Sequence, residues 1–219
     1  GHRQQTVLSN TSVKLSCHGT EVHRGTVVED GKEAARLTIL GIAGSLRRAS
    51  YNRALLRAAR ELAPDGIEIE IFDRLGELPL YNPDVEAMGA PEPVAALKEA
   101  IDRAHGVLIA TPEYNYSIPA PLKNALDWAS RPPAETPLRG KPIAIMGAAV
   151  GSIGTARAQL ALRQSLLFTQ SHVMPAPELL VGRAPEKFDA ELRLVDEQTR
   201  QFLRQHLERF ASYVARFVD

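Results

Sequence analysis

The sequence has very little cysteine and no excess of either charge. Cys17 is the single cysteine among 219 residues, which excludes an internal disulfide framework. The 26 basic and 26 acidic residues cancel, so no strong field attracts nucleic acid or an anionic membrane. No apolar run reaches the roughly 20 residues of a membrane span, and the first residues lack the apolar core of a secretory signal. We therefore expect a cytoplasmic, enzyme-like protein with no nucleic-acid partner and no membrane span.

Two common nucleotide-binding fingerprints are also missing. The segment Gly41-Ile42-Ala43-Gly44 fits neither the Walker pattern nor the Gly-x-Gly-x-x-Gly pattern of dinucleotide sites. An apolar run from Leu37 instead passes through these glycines into a helical pattern that begins near Tyr51, which predicts a strand, a tight loop and a helix. Such a turn directs backbone N–H groups and the positive end of a helix dipole at one point, where a phosphate can bind.

Polar side chains in this loop supply further donors. Ser45, Ser50 and Asn52 carry neutral groups, and Arg47 carries a guanidinium that matches phosphate oxygens. One positive centre with several neutral donors suits a terminal phosphomonoester better than a triphosphate with magnesium. The alternative interpretation is that these residues merely cap the helix, because Ser and Asn are preferred caps.

Apolar runs and helical periodicities alternate along the rest of the chain. A first strand is predicted in the apolar run that begins at Leu37, and further strands at 67–72, 106–111, 142–149 and 171–174. Helices are predicted at 52–63, 93–104, 122–131, 155–168 and 186–217, and irregular segments at 75–93 and 175–185. The last helix is expected to be one long or broken helix. The repeated alternation predicts an α/β fold with a five-stranded parallel sheet and helices on both faces.

Three predicted loops carry the unusual residues. They are residues 44–52, 112–121 and 147–154, and the second is too rich in proline and aromatic residues for a plain connection. In the strand order 2-1-3-4-5 these loops meet at one crevice beyond the carboxyl ends of the strands, where such sheets bind ligands.

With these residues assembled, the chain resembles the NAD(P)H-dependent FMN reductase family, which includes quinone, azo-dye and chromate reductases. The matching segments are 44–52, 78–82, 111–119, 122–131, 156–159 and 162–163. The resemblance covers about 37–173, and the central segments 111–131 are its most specific part. It implies a flavodoxin-like domain at 37–219.

The resemblance implies bound, non-covalent FMN, with the phosphate at the first loop and the ring against residues 112–115. The implied cofactor contacts are Ser45, Leu46, Arg47, Ser50, Tyr51, Asn52, Pro112, Glu113, Tyr114, Asn115, Ala148 and Gly151. It further implies ping-pong hydride transfer from NADPH or NADH through the flavin to a quinone or a similar acceptor, such as an azo dye, chromate or free flavin. No catalytic acid, base, nucleophile or metal ligand is nominated.

Other interpretations stay open at this point. A flavodoxin-type electron carrier or a non-catalytic flavin-binding regulator would use the same crevice, although carriers are typically acidic and this chain is neutral. Ala148 and Ala149 depart from the Ser-containing or Gly-Gly pattern of the family, which removes a hydroxyl bond to the cofactor, and Ala120 stands where many relatives carry glycine. Glu113 is expected to act through its main chain or a subunit contact rather than as a general base.

The exposed loops and the first 36 residues bear on assembly. Loops 75–93 and 112–121 offer apolar and proline-rich surface, which predicts a homodimer or homotetramer. Residues 1–36 are expected to be an extension: a tag remnant, a disordered leader, or a subunit arm with a hairpin at 22–28. A metal site at Cys17, His18 and His23 is not expected, because a second ligand pair is missing. His105 and His172 are expected to be core or surface histidines.

Overall fold

A parallel β-sheet forms the centre of residues 36–218, the part of the chain that the computed structural model describes. Its strands are β1 (Leu37–Ala43), β2 (Ile67–Phe72), β3 (Gly106–Ala110), β4 (Pro142–Ala148), β5 (His172–Val173) and β6 (Leu179–Val181). The order is β2-β1-β3-β4-β5, with β6 also paired to β4, and every pairing is parallel. The predicted order 2-1-3-4-5 is confirmed.

The strands show why the sequence favours this arrangement. Strands β3 and β4 are buried along their whole length, as expected for apolar runs covered on both faces. Strand β2 alternates Ile with Glu, and it lies at one edge of the sheet with Glu68 and Glu70 exposed. The alternation of Ile and Glu is consistent with this edge position.

The opposite edge differs from the prediction. Strand β5 pairs only with the first residues of β4, and β6 pairs with Met146–Ala148 at the other end of the same strand. Pro175 and Pro177 lie between the two short strands, and proline lacks the N–H that a continuous strand would need. The fifth position is thus shared by two strands, and residues 179–181 are not irregular as expected.

Six α-helices cover the sheet in residues 36–218. They are α1 (Tyr51–Glu61), α2 (Pro83–Glu86), α3 (Glu92–Arg103), α4 (Ala120–Ala129), α5 (Ala156–Phe168) and α6 (Glu197–Val214). Buried residues of α1 and α6 belong to one apolar core, and those of α3, α4 and α5 belong to a second core. The two cores lie on opposite faces of the sheet, so the doubly wound prediction is confirmed. None of these helices combines the length and apolarity needed to cross a membrane.

Two segments differ from the predicted helices and loops. Helix α6 begins only at Glu197, where the Asp196 side chain accepts the N–H of Thr199. Before it, Phe188 and Leu194 form an isolated antiparallel bridge, so the predicted helix over 186–217 was too long. The segment 75–93 includes a 3₁₀ turn at Leu75–Glu77 and the short α2.

Several predictions fall outside the described residues. The extension at 1–36 lies outside them except for Arg36, and so do the hairpin at 22–28 and the cluster of Cys17, His18 and His23. Within residues 36–218, no group of three potential metal-ligating side chains comes together. The Nδ1 of His105 accepts the N–H of Thr38 at 2.9 Å, and His172 stacks on Phe217 with ring centroids 4.5 Å apart. Both histidines are structural, as predicted.

Candidate functional site

A cleft of about 290 Å³ opens beyond the carboxyl ends of β1, β3 and β4. Its walls are Ser45, Arg47, Ser50, Tyr51, Asn52, Pro112, Glu113, Tyr114, Ala148, Ala149 and Val150. Nine of the twelve residues predicted from the sequence are among them. The three predicted loops therefore meet at one place, where the strand order reverses.

The other three predicted residues lie beside this cleft rather than in its wall. Leu46 faces a neighbouring groove. Asn115 is exposed in a tight turn with a φ of 49°. Gly151 is also exposed, and its carbonyl accepts the N–H of Arg183 at 3.0 Å. The sequence did not predict Ala149 and Val150 as wall residues, because an apolar loop residue carries no chemical signal of its own.

The β1 loop (residues 44–50) leads into α1. The Oγ of Ser50 accepts the N–H of Arg53 at 3.3 Å, so Ser50 is the N-cap of α1. The amide groups of Ser45, Leu46, Tyr51 and Asn52 donate to no acceptor within residues 36–218. The capping interpretation is therefore correct for Ser50, and free N–H donors still remain at this helix end.

Asn52 connects α1 to β4. Its side chain is buried, its Oδ1 accepts the N–H of Ala148, and its Nδ2 donates to the carbonyl of Ala148, both at 2.9 Å. The carboxamide is thus used within the protein, and only the backbone N–H of Asn52 remains free. This differs from the expectation that Asn52 adds a side-chain donor to a phosphate site, because the open backbone end of β4 takes both of its polar atoms.

Arg47 carries the positive charge of the cleft. Its guanidinium donates to the carbonyl of Ala49 at 2.7 Å, which folds the exposed side chain over its own loop. It forms no ion pair with a carboxylate of residues 36–218. Because only one of its five N–H donors is used here, the charge remains available to an anion.

The β3 loop (residues 111–119) holds two aromatic rings in an unusual turn. Tyr114 and Ser117 exchange two backbone hydrogen bonds of 3.0 Å, and Asn115 and Tyr116 between them both have left-handed φ angles, 49° and 63°. A left-handed φ is common for Asn but strained for Tyr. The turn leaves Tyr114 and Tyr116 exposed by 47% and 70%. Strain that keeps aromatic rings in solvent is typical of a binding loop.

Glu113 joins this loop to the next helix. Its Oε2 accepts the N–H groups of Arg157 at 3.0 Å and Ala158 at 3.2 Å, while Thr155 makes no side-chain capping bond. The guanidinium of Arg157 lies 4.1 Å above the ring of Tyr116. Glu113 therefore stabilises the N-terminus of α5 through its carboxylate. The roles expected for Glu113, a main-chain or subunit contact rather than general-base catalysis, stay predictions.

Gly147 permits the close approach of the β3 and β4 ends. A Cβ atom at this position would lie 2.4 Å from the carbonyl oxygen of Thr111 and 2.0 Å from the Oγ1 of Thr155. Only glycine fits between these groups. A glycine immediately after an apolar run is the signal by which the sequence could have identified this contact.

The cleft thus combines free backbone donors and one arginine at the β1 loop with flat apolar surface at Pro112, Tyr114 and Val150. The first half suits a phosphate, and the second suits the face of a planar ring. No histidine or cysteine of the described chain lines it. The arrangement can hold a flat, phosphorylated cofactor, and it offers no obvious nucleophile.

Comparisons with known proteins agree with this geometry. A family model described as NADPH-dependent FMN reductase matches residues 37–186. An NAD(P)H-dependent FMN reductase of Pseudomonas aeruginosa is 49% identical over 180 residues, covering 82% of this chain and 96% of the relative. A quinone reductase of Pseudomonas putida is 44% identical over 173 residues, covering 79% and 92%. The solved structure of FerB, a flavoenzyme NAD(P)H:(acceptor) oxidoreductase from Paracoccus denitrificans, has a TM-score of 0.76 at 37% identity, covering 83% and 98%.

Proposed function

Because the chain belongs to the NADPH-dependent FMN reductase family, we propose that it is an FMN-dependent oxidoreductase that uses NAD(P)H to reduce quinones or similar acceptors. The observation that carries this function is the cleft itself. Free N–H donors and Arg47 lie at one end of it, and an apolar wall lies at the other. These two ends match the phosphate and the ring of one flavin mononucleotide in their chemistry.

The residues present fit FMN group by group. The unpaired amides of Ser45, Leu46, Tyr51 and Asn52 would surround the phosphate, and Arg47 would neutralise part of its charge. Pro112, Tyr114 and Val150 would contact the ring. The backbone N–H groups of Ala148 and Ala149 already donate to the Asn52 Oδ1 and the Val181 carbonyl, so they would not replace the hydroxyl that the family often has there. The cleft itself serves only one terminal phosphate, which favours FMN over FAD as its occupant.

The protein itself supplies position and electrostatics. When bound, FMN would accept a hydride from NAD(P)H and pass it to the acceptor. The Asn52 bridge to Ala148 and the Glu113 cap on α5 fix the walls of the cleft. Tyr114 and Val150, both exposed, would form the open side through which the nicotinamide and then the acceptor reach the same place. This ordering underlies a ping-pong reaction.

Quinones are the acceptors best supported, because a relative that shares 44% of the aligned residues is named a quinone reductase. A flavodoxin-type carrier or a flavin-binding regulator would have the same cleft but would not catalyse the oxidation of NAD(P)H. The neutral charge balance of the chain disfavours docking as an acidic carrier. A cytoplasmic location stays a prediction.

Assembly into a homodimer or homotetramer is part of the proposal. Large apolar side chains are exposed at the cleft wall (Val150), in the β3 loop (Tyr116) and in the segment 75–93 (Leu80 and Met88). A second copy covering them would complete the open side of the cleft with its own residues. Dilution should then lower flavin retention and activity together. A flavin-loaded, fully active monomer by light scattering at micromolar concentration would exclude this assembly.

The central experiment combines a spectrum with an assay. We expect the purified protein to carry a yellow cofactor that is released by heat and identified as FMN, and to oxidise NADPH steadily when a quinone is added. FAD, or no flavin even after reconstitution, would exclude the proposed cofactor. Bound FMN without NAD(P)H oxidation would instead indicate the carrier or the regulator.

A further inference from the structure

A second cavity, which we call the arginine groove, adjoins the cleft on the other side of the β1 loop. It has a volume of about 270 Å³ and lies between α1, the end of β2 and the 3₁₀ turn that follows β2. It is lined by Ala43, Ser45, Leu46, Arg53, Leu56, Arg57, Arg60, Ile71, Phe72, Asp73 and Leu75. Ser45 lines both cavities. A single extended molecule can therefore occupy both by passing over this loop.

Three guanidinium groups dominate the groove. Arg53, Arg57 and Arg60 lie on successive turns of one face of α1, and their side chains form no ion pair or hydrogen bond within residues 36–218. Arg74, Arg193 and Arg200 by contrast each pair with a carboxylate. Positive charge has thus been concentrated without partners in a chain whose total charge is balanced. Three unpaired arginines around one cavity are suited to a phosphate group.

The same cavity has an apolar side. Leu46, Ile71, Phe72 and Leu75 contribute carbon surface to it, and Leu46 is half exposed. A bare inorganic anion would have no use for such a wall. A purine attached to a phosphorylated sugar would use both the wall and the guanidinium groups.

We propose that the arginine groove binds the 2′-phosphorylated adenosine end of NADPH. The inference rests on the proposed function, since the nicotinamide end must reach the cleft. It goes further by assigning to Arg53, Arg57 and Arg60 the choice between NADPH and NADH, which differ only in the 2′-phosphate. The enzyme then prefers NADPH.

One residue of the groove argues for the opposite preference. Asp73 directly follows β2, and an acidic residue near this place in dinucleotide-binding sheets bonds the 2′-hydroxyl of NADH. It is the single carboxylate among the groove residues, against three guanidinium groups. The net positive charge favours a phosphate. Substitution of Asp73 consequently separates the two possibilities.

The kinetic test uses the flavin-loaded enzyme with both nucleotides. In the double variant Arg57→Ala/Arg60→Ala we expect KM for NADPH to rise at least about tenfold, since each charge-assisted contact contributes about one order of magnitude. KM for NADH should rise clearly less, because NADH lacks the 2′-phosphate. Arg103→Ala, an exposed arginine at the end of α3, is the matched control and should change neither KM. Equal effects on both nucleotides would overturn the inference, and so would a loss confined to NADH in Asp73→Asn.

A binding measurement separates this inference from the proposed function. Calorimetry on the purified protein should show adenosine 2′,5′-bisphosphate binding about tenfold or more tightly than adenosine 5′-monophosphate, and the double variant should abolish the difference. The calorimetric measurement needs neither bound flavin nor catalytic turnover. Absence of FMN or of NAD(P)H oxidation would therefore exclude the proposed function alone. Equal affinity for the two adenosine phosphates in an active, flavin-loaded enzyme would exclude the proposed role of the arginine groove and leave the proposed function standing.

Discussion

On one side of the β1 loop, the cleft is lined by polar side chains whose hydrogen bonds are made inside the protein. On the other side, the arginine groove is lined by guanidinium groups that pair with nothing in residues 36–218. Asn52 and Glu113 bond backbone groups of β4 and α5, whereas Arg53, Arg57 and Arg60 extend from α1. Fixed walls suit a cofactor that stays bound, and mobile charged side chains suit a substrate that must leave in each cycle.

The largest expected effect tests the fixed walls. Gly147→Ala places a Cβ atom against the Thr111 carbonyl and Thr155, and we expect unfolding free energy to fall by about 3 kcal/mol or more because backbone must move. Gly151→Ala is the matched control, since its Cβ meets nothing within 4 Å. Denaturant unfolding of the apoproteins measures both. Equal stability of the two variants would show that the β3 and β4 ends are free to separate.

Asn52→Ala removes the bridge between α1 and β4. The N–H and carbonyl of Ala148 lose their partners in a buried place, so we expect a loss of about 2–3 kcal/mol. FMN retention through gel filtration should also fall. Gln201→Ala, which removes an exposed carboxamide on α6, should leave both unchanged. Unaltered stability of Asn52→Ala would mean that water replaces the bridge and that the cleft is less rigid than we describe.

Arg47→Ala tests the one charged side chain of the cleft. Loss of a charge-assisted bond should raise the dissociation constant of FMN by about tenfold. Fluorescence titration of the apoprotein with FMN gives this constant. Arg48→Ala, the neighbouring residue outside the cleft wall, should have a clearly smaller effect. If the affinity is unchanged, Arg47 stays on the Ala49 carbonyl when FMN binds.

Glu113→Gln tests the connection between the β3 loop and α5. Without the negative charge at the helix N-terminus we expect about 1 kcal/mol less stability. The pH profile of kcat should keep its shape, because this carboxylate takes no proton from the substrate. Glu99→Gln on the exposed side of α3 is the control for stability. A new or missing limb in the pH profile would instead identify Glu113 as an acid or base.

The smallest expected effect is the salt dependence of nucleotide binding, which tests the charges of the arginine groove. Raising ionic strength from about 0.05 M to about 0.5 M should increase KM for NADPH by about threefold, because exposed charges are screened. KM for NADH should rise less, since NADH keeps the pyrophosphate charges but lacks the 2′-phosphate. Initial rates at saturating quinone provide both values. The same salt dependence for the two nucleotides would place the phosphate contacts outside the arginine groove.

Much of the fold and of the cleft could be predicted from the sequence. Apolar runs predicted β1, β3 and β4, and the alternation of Ile and Glu predicted β2. These patterns follow directly from which faces of a strand are buried. The polar residues of the β1 loop and the prolines and tyrosines of the β3 loop identified the site. The family, the enzyme class and the FMN and NAD(P)H dependence were predicted from the same segments and agree with the comparisons.

Other features depend on contacts that no local pattern contains. The Asn52 bridge spans 96 positions and the Glu113 cap spans 44, so neither side chain could be assigned its partner in advance. Strand β6 is only three residues long, too short for a periodicity to show. The apolar spacing at 186–195 suggested helix, but these residues pack against the core as a bridge before α6.

The divided fifth position of the sheet limits how copies of this protein can meet. A long, straight edge strand offers a row of unpaired N–H and C=O groups on which another chain can add a strand, and that is a common route to aggregation. Here that edge consists of two strands of two and three residues with Pro175 and Pro177 between them. Neither is long enough to template a foreign strand. Copies of this protein are therefore protected from sheet-to-sheet growth at this edge, whereas the six-residue strand β2 leaves the opposite edge open.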